Sequence, residues 1–577
     1  MWVFPFLHYV HRYPLTTFYQ EWWSGLLGIG ALTLLVGRAY WQRPEIPRIA
    51  QLPVGLAAIA LLQWALGMMA YSDQALLYSL YLLFAALLTM LGAWLRDCFG
   101  FAVLARVLAI CLLLGAEISA AIGVLQHFRW HTPFDSVIVA KVASSVFGNL
   151  AQPNHYANYL ALGLASLGLL HMQHGLKGRH AALLALPLLL AMTLSGSRSS
   201  WLYLLLMVAL AAGWGWRDAA QRPLLRYCLL LLAGFGAMHL LVQLPFMAGA
   251  GGSVDTVQRL LGEDASGSIR LYLWRESGLM FAQSPWLGAG YGQFAWHHLQ
   301  LLPTLQQGNI QGLYNNAHNL VFQLAAETGV AGLLVLFASL GLWLNGLRRA
   351  PRDAAHWWGY ASLGVLAIHS LLEYPLWYTY FVAVAAVLLG ALDETRYRLE
   401  LRALGRLSVA AMLLLGLLTL IQLRVSYLQL GQALRPAAST SSGQASAADE
   451  DSFERVRDGL MEVHGGSLLS PYAELFLSSM IEVSEERKRD KLELNGRVMR
   501  FAPVGHVVYR QALLLALNDM PRQAEAALEQ ALWSYPGEWP ATRERLEALA
   551  EKEPGRYAAL LEFALRKEQE YASAVRH

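Results

Sequence analysis

The run GLYNNAHNLVFQLAAETG carries one histidine, His318, where a polar stretch of chain gives way to helix-forming residues. Asn315 or Asn316 is spaced to cap the helix that follows, which predicts His318 in its first turn. A histidine so placed can take a proton from a hydroxyl, because imidazoles keep a neutral fraction near neutral pH. Two arginine regions offer the complementary chemistry. Arg198 stands in TLSGSRSSWLY, a short turn rich in hydroxyls and backbone donors, where a guanidinium fork suits phosphate oxygens. Arg270 and Arg275 lie in SIRLYLWRESG, and a helix beginning near Ser268 places Arg270 and Trp274 on one face. Gly288, Gly290 and Gly292 then permit a tight path through SPWLGAGYG. A last group, in FGNLAQPNHYANYLALG, gathers Asn149, Gln152, Asn154, His155 and Asn158. As structure such amides cap and close helices; as function they offer donors and acceptors to sugar hydroxyls and acetamido groups. Arginines beside Trp and apolar residues also occur at membrane interfaces without any catalytic duty.

The composition says what must position these residues. Of 577 residues, 56% are hydrophobic and only 14% charged, and the mean hydropathy is +0.38, the pattern of an integral membrane protein. A net charge of +3 gives no reason to expect nucleic acid. Cys98, Cys111 and Cys228 sit in or beside apolar stretches with no metal-ligand spacing, which argues against a disulfide framework or a zinc cluster.

About twelve apolar stretches, near 22–40, 52–69, 76–93, 101–123, 155–171, 181–194, 200–215, 224–243, 320–345, 355–372, 375–394 and 406–424, read as membrane spans. Basic residues collect in alternate loops, at Arg43 and Arg48, Arg96, Lys177 and Arg179, Arg217 to Arg226, Arg348 to Arg352 and Arg396 to Arg406, which puts those loops in the cytoplasm. The opposite set faces outward: the 124–154 loop, the 195–199 turn, the large 244–319 loop, the 373–374 turn and everything beyond 424. The expected domains are an outward segment 1–21, a membrane domain 22–424, an exit segment and flexible linker 425–451, and a helical domain 452–577. An outward N-terminus without a signal sequence leaves two readings: the helix at 22–40 enters unaided, or an earlier span precedes it.

PAASTSSGQASAADED is a polar linker, and beyond it the chain becomes charged and amphipathic. Two helices parted at Asn518–Pro521, with Ala524, Ala527 and Ala531 spaced for close packing, suggest a tetratricopeptide-like hairpin or a small helical domain bracing the outer face.

The Arg198 turn, the Arg270 helix followed by PWLGAGYG, and the NNAHN histidine together resemble the O-antigen ligase and polymerase superfamily of bacterial inner-membrane proteins. FGNLAQPNHYAN and the helical tail resemble its protein-glycosylating branch, the pilin-type O-oligosaccharyltransferases. The resemblance implies an all-α polytopic membrane protein with a large periplasmic loop and a C-terminal periplasmic helical domain. It implies transfer of a glycan from undecaprenyl diphosphate to a hydroxyl of a pilin-like acceptor, with Arg198, Arg270 and His318 catalytic, and Gln152 and Tyr374 the branch-specific amide and tyrosine. Asn154, His155 and Arg275 join these as candidates for diphosphate or glycan binding. Neither a cofactor nor a metal is expected, since two fixed arginines can neutralise a diphosphate leaving group, and direct attack inverts the anomeric carbon. The alternatives are transfer to lipid A-core, polymerisation onto a second lipid-linked glycan and, in a different class, transport of a lipid or glycan.

Overall fold

The computed structural model describes residues 1–141, 145–174, 176–247, 265–307, 310–348, 350–398, 401–435 and 445–575. Much of the proposed linker, residues 436–444, lies outside them, as do Arg349, Glu263 and Asp264. Among the described residues the fold is α-helical apart from a minimal antiparallel pair, β1 (Glu45–Pro47) with β2 (Arg396–Arg398). In chain order the membrane part contains α1 (Phe18–Leu32), α2 (Gln51–Ala65), α3 (Ser72–Phe99), α4 (Phe101–Phe128), α5 (Pro153–His174), α6 (Gly178–Leu194) and α7 (Ser199–Arg217). It continues with α8 (Arg222–Leu241), α9 (Ala265–Gln283), α10 (Phe294–Leu305), α11 (Leu320–Leu347), α12 (Ala354–Ser370), α13 (Thr379–Leu392) and α14 (Arg402–Ala433).

The expected twelve spans are too many. Among the described residues seven helical segments are long and apolar enough to cross a membrane: Arg48–Ala65, Ser72–Phe99, Phe101–Phe128, Ser199–Arg217, Ala219–Leu241, Leu320–Leu347 and Arg402–Ala433. The others fall short for physical reasons. The stretch at 22–40 breaks after Leu32 into a tighter turn, Thr33–Val36, and a five-residue helix, Arg38–Gln42. The 14 residues of α13 rise only about 21 Å, against a hydrocarbon core of ~30 Å, and α5 carries Asn154, His155, Asn158 and His171 along its length.

Short as it is, α13 lies deep in the core, backbone to backbone with α3. A Cβ on Gly390 would fall 1.9 Å from the Thr89 carbonyl oxygen, and one on Gly92 2.1 Å from that of Val387, so only glycine allows this crossing. Helix α11 is interrupted instead of continuous. Gly329 has φ 60° and ψ −155°, and SPWLGAG is stitched into the break. Val330 N donates to Pro285 O (2.7 Å), Ala331 N to Trp286 O (3.1 Å), Ala289 N to Ala326 O (2.8 Å) and Gly290 N to Glu327 O (3.1 Å). Every one of these otherwise orphaned backbone groups thereby gains a partner, the condition for a broken helix in a bilayer. Buried Gln63 of α2 clasps the same insert, donating to Leu287 O and Glu327 O and accepting from Tyr291 N. The predicted glycine path is real: Gly288, Gly290 and Gly292 all have positive φ.

The bundle has two distinct ends. Phe18 of α1 stacks on Tyr427 of α14 at 3.9 Å, and Glu21 Oε2 accepts from Thr379 N at 2.7 Å, so the starts of α1 and α13 meet the end of α14. At the other end Arg406 Nε donates to Val36 O (2.7 Å), and Ile49 N to Asp393 Oδ2 (2.8 Å). The basic residues Arg48, Arg96, Arg396, Arg402 and Arg406 gather at this second end.

The C-terminal helices are α15 (Ala445–His464), α16 (Ser470–Ser479), α17 (Lys488–Phe501), α18 (Gly505–Leu517), α19 (Pro521–Ser534), α20 (Trp539–Lys552) and α21 (Pro554–Val575). Leu460 and Val463 of α15 and Ala473 of α16 pack with Phe18 of α1 and Tyr427 of α14, and α17 to α21 build a separate core. The hairpin breaks where expected, and Ala524, Ala527 and Ala531 are buried. This core reaches into the long loop. Leu299 of α10 is part of it, with Trp296 packed alongside, and Gly312 N donates to Ser534 O at 2.8 Å.

Candidate active site

The turn between α12 and α13 places one buried carboxylate, Glu373, where three distant parts of the chain converge. Its Oε1 accepts from Arg270 Nη2 and from Asn154 Nδ2, both at 2.8 Å, and its Oε2 pairs with His318 Nδ1 at 2.8 Å. The carboxylate side chain is 5% exposed, whereas those of Arg270 and His318 are 26% and 28% exposed, so the partners reach outward from a buried anchor. Burial pushes the Glu373 carboxyl up, but the His318 hydrogen bond and the charges of His318 and Arg270 outweigh it and hold it below the ordinary carboxylate value.

Each partner is fixed locally. Asn154 sits in the first turn of α5, and its Oδ1 accepts from Ser197 Oγ at 2.8 Å, tying the Arg198 turn to the cluster. Arg198 itself is the half-buried N-cap residue of α7, directly after that serine. Arg270 lies on α9, which begins at Ala265, before the expected Ser268. Trp274, one turn on, stacks on Phe322 at 5.1 Å and donates Nε1 to Ala317 O at 3.1 Å. The arginine helix and the residue before His318 are thus held by one indole.

His318 departs from expectation. It precedes α11 instead of occupying its first turn, and the cap is Asn319, whose Oδ1 accepts from Val321 N and Phe322 N. Asn316 does something different, accepting from His318 N at 2.8 Å. His318 has φ 52°, a left-handed conformation costly for a residue with a Cβ. Tyr374 packs edge-on against its imidazole with ring centroids 5.1 Å apart.

The remaining predicted residues divide. Gln152 Oε1 accepts from His155 N, capping α5. His155 is 2% exposed beneath the cluster, ringed by His369, Tyr374, Tyr378 and Phe381. Arg275 is exposed on α9, and the structure does not bring it to Glu373. Asn149 is a loop clasp, bonded to Leu7 O, Val137 O and Val139 N, and Asn158 is buried within α5.

The sequence reading missed Glu373. Its signal is a lone acid in LLEYPLW between two apolar stretches, where a charge is expensive and needs partners. A second missed pair, Glu276 of α9 with His298 of α10, is almost completely buried at 2.7 Å and fastens the arginine helix to the helix that enters the C-terminal core.

Three family matches cover these regions. Residues 146–171, containing the amides, match the protein glycosylation ligase family, and residues 182–337, containing Arg198, Arg270 and His318, match the O-antigen ligase family. Residues 357–548, containing Glu373 and much of the C-terminal core, match the C-terminal region of virulence factor membrane-bound polymerases. All three matches are to families of the O-antigen ligase superfamily, which the chain resembles along most of its length. The chain is 28% identical over 434 residues to the general O-oligosaccharyltransferase of Acinetobacter baylyi, covering 71% of this chain and 72% of the relative. It is 24% identical over 243 residues to the ComP-specific O-oligosaccharyltransferase of the same organism, covering 42% and 43%.

Proposed function

We propose that the chain is a membrane-embedded O-oligosaccharyltransferase that moves a glycan from undecaprenyl diphosphate to a serine or threonine of a pilin-like protein, at the periplasmic face of a bacterial inner membrane. The observation that carries this reading is the single buried carboxylate, Glu373, joining Arg270, His318 and Asn154. An ionised carboxylate only accepts hydrogen bonds, so in the neutral imidazole His318 Nδ1 carries the proton and Nε2 keeps a lone pair. The acceptor hydroxyl attacks the anomeric carbon and gives its proton to Nε2. The new carbon–oxygen bond forms as the bond to the diphosphate oxygen breaks, and the departing diphosphate takes the electron pair. Arg270 and Arg198 neutralise the charge that develops on it, which makes a metal ion unnecessary for the step. Direct attack inverts the anomeric carbon. Asn154 and Gln152 offer amides to the sugar, Tyr374 walls the imidazole, His155 supports that wall from below, and Arg275 meets the donor from the loop surface.

An apolar groove of about 410 Å³ opens beside the same turn, lined among others by Trp22, Tyr81, Leu376, Thr379 and Leu420, and suits the isoprenoid chain of the donor. The gathering of basic residues at the opposite end of the bundle supports a periplasmic orientation for the site. A protein acceptor is supported by the protein glycosylation ligase match and by a relative named as specific for ComP. The C-terminal domain would hold that acceptor. The ligase and polymerase matches favour, as a second reading, a lipid-borne acceptor. Mass spectrometry of a pilin-like protein co-produced with either the wild-type chain or His318→Ala tests the proposal. A glycan on Ser or Thr with the wild-type chain alone is expected; its absence there, or its persistence with His318→Ala, contradicts the reading.

A further inference from the structure

The end of the bundle remote from Glu373 carries a second built feature. The five-residue helix Arg38–Gln42 lies across the start of α14, and the contact is Trp41 over Gly405. A Cβ at position 405 would fall 2.2 Å from the Trp41 ring, so the indole rests directly on the α14 backbone, 7% exposed, with Nε1 donating to Leu35 O at 2.7 Å. This close seating brings Arg38 together with Arg402 and Arg406, which share one face of α14 at i and i+4. The three arginines, with Trp41, Gln42 and Ala403, line an open pocket of about 380 Å³.

We infer that this pocket binds the phosphate headgroup of an anionic phospholipid. Nearby Arg96, Arg396 and Arg398 are each paired with a carboxylate. Among the described residues, Arg38, Arg402 and Arg406 form no such pair, so three like charges share one pocket. Their mutual repulsion disfavours the arrangement until an anion sits between them, and guanidinium forks match phosphate oxygens. The surrounding surface selects a lipid over a soluble anion. Leu34 of the preceding turn Thr33–Val36 and Leu404 and Leu407 of α14 are 48%, 65% and 66% exposed, and α14 is long and apolar enough to cross a bilayer. A phosphate attached to acyl chains satisfies the arginines and covers these leucines together; a free phosphate satisfies only the arginines.

Native mass spectrometry of the full-length chain in neutral detergent tests the site. Phosphatidylglycerol, phosphatidylcholine of the same chain length, and inorganic phosphate are titrated in parallel. Phosphatidylglycerol should be retained at about tenfold lower concentration than phosphatidylcholine, and Arg38→Gln/Arg402→Gln should abolish that preference. Arg406 is left intact because its bond to Val36 O also holds the fold. Should the double variant lose monodisperse elution, Arg402→Gln alone, exposed at the helix start, carries the same comparison. Equal retention of both lipids, or an undiminished preference in the variant, overturns the inference. Displacement of phosphatidylglycerol by an equal concentration of inorganic phosphate would assign the pocket to soluble anions and overturn the lipid assignment.

Discussion

Glu373→Gln keeps the shape of the side chain at the centre of the cluster and removes its charge. One oxygen can still accept from Arg270 and Asn154, as Oε1 does now. The other becomes an NH₂ facing His318 Nδ1, where the present contact is 2.8 Å. An NH₂ can only donate, so the imidazole must carry its proton on Nε2, and the lone pair proposed to receive the acceptor proton is lost. Hydrogen bonds to a charged group contribute about 1.5–3 kcal/mol each, and here the bond to His318 inverts while that to Arg270 weakens. Part of that loss falls on stability and the rest on the transition state. General-base assistance is itself worth about 10²–10⁴ in rate, so kcat should fall about 10²–10³-fold, or ~2.7–4 kcal/mol, with donor binding changed far less. Initial rates on purified chain, with donor binding and melting temperature measured on the same preparation, provide the test. The double variant with His318→Ala should be little worse than His318→Ala alone. A kcat within threefold of wild type, or fully multiplicative losses in the double variant, would refute the tautomer argument.

Arg198→Lys and Arg270→Ala should each impair donor turnover with the fold intact, because a point charge cannot replace a bidentate fork and Glu373 would lose its cationic partner; unchanged donor affinity and turnover in both would remove the diphosphate role. Transfer should survive exhaustive EDTA, and a chelated preparation that is inactive and recovers with magnesium or manganese would replace the arginine account with an ion-assisted one. Since the Glu373 carboxyl is held below its ordinary value of 4.5, its stabilising contribution is present above that pH and is lost as pH falls through the lower folded value. On acidification below about pH 4.5 the wild-type melting temperature should therefore drop more steeply than that of Glu373→Gln, and parallel curves would contradict this.

The sequence made the cluster's outer members legible because each breaks a local rule. Arg198 is a charge in a turn between apolar helices, and His318 follows a run of asparagines where loop becomes helix. The Gly288–Gly292 path was readable because only glycine takes those angles freely. Glu373 was harder to see because its meaning is non-local: Asn154, Arg270 and His318 approach it from across the chain, and no spacing encodes that meeting. The capping of α11 was misread by three or four residues, since several consecutive asparagines can each cap and only the left-handed turn at His318 selects Asn319. Spans were overcounted because apolar runs buried inside the protein, such as α13 against α3, look in sequence like runs facing lipid. The tail's hairpin followed from its alanine spacing, whereas its shared core with Leu299 joins segments that no sequence pattern connects.

The central claim is that the Glu373–His318–Arg270 cluster transfers a lipid-linked glycan to a protein hydroxyl. The most direct measurement incubates purified full-length chain with undecaprenyl-diphosphate-linked glycan and equal amounts of a pilin-like protein and lipid A-core, and follows both acceptors by intact mass. The account predicts glycan on Ser or Thr of the protein, with wild-type chain and not with Glu373→Gln at matched times. Glycan accumulating on lipid A-core while the protein stays unmodified would contradict it.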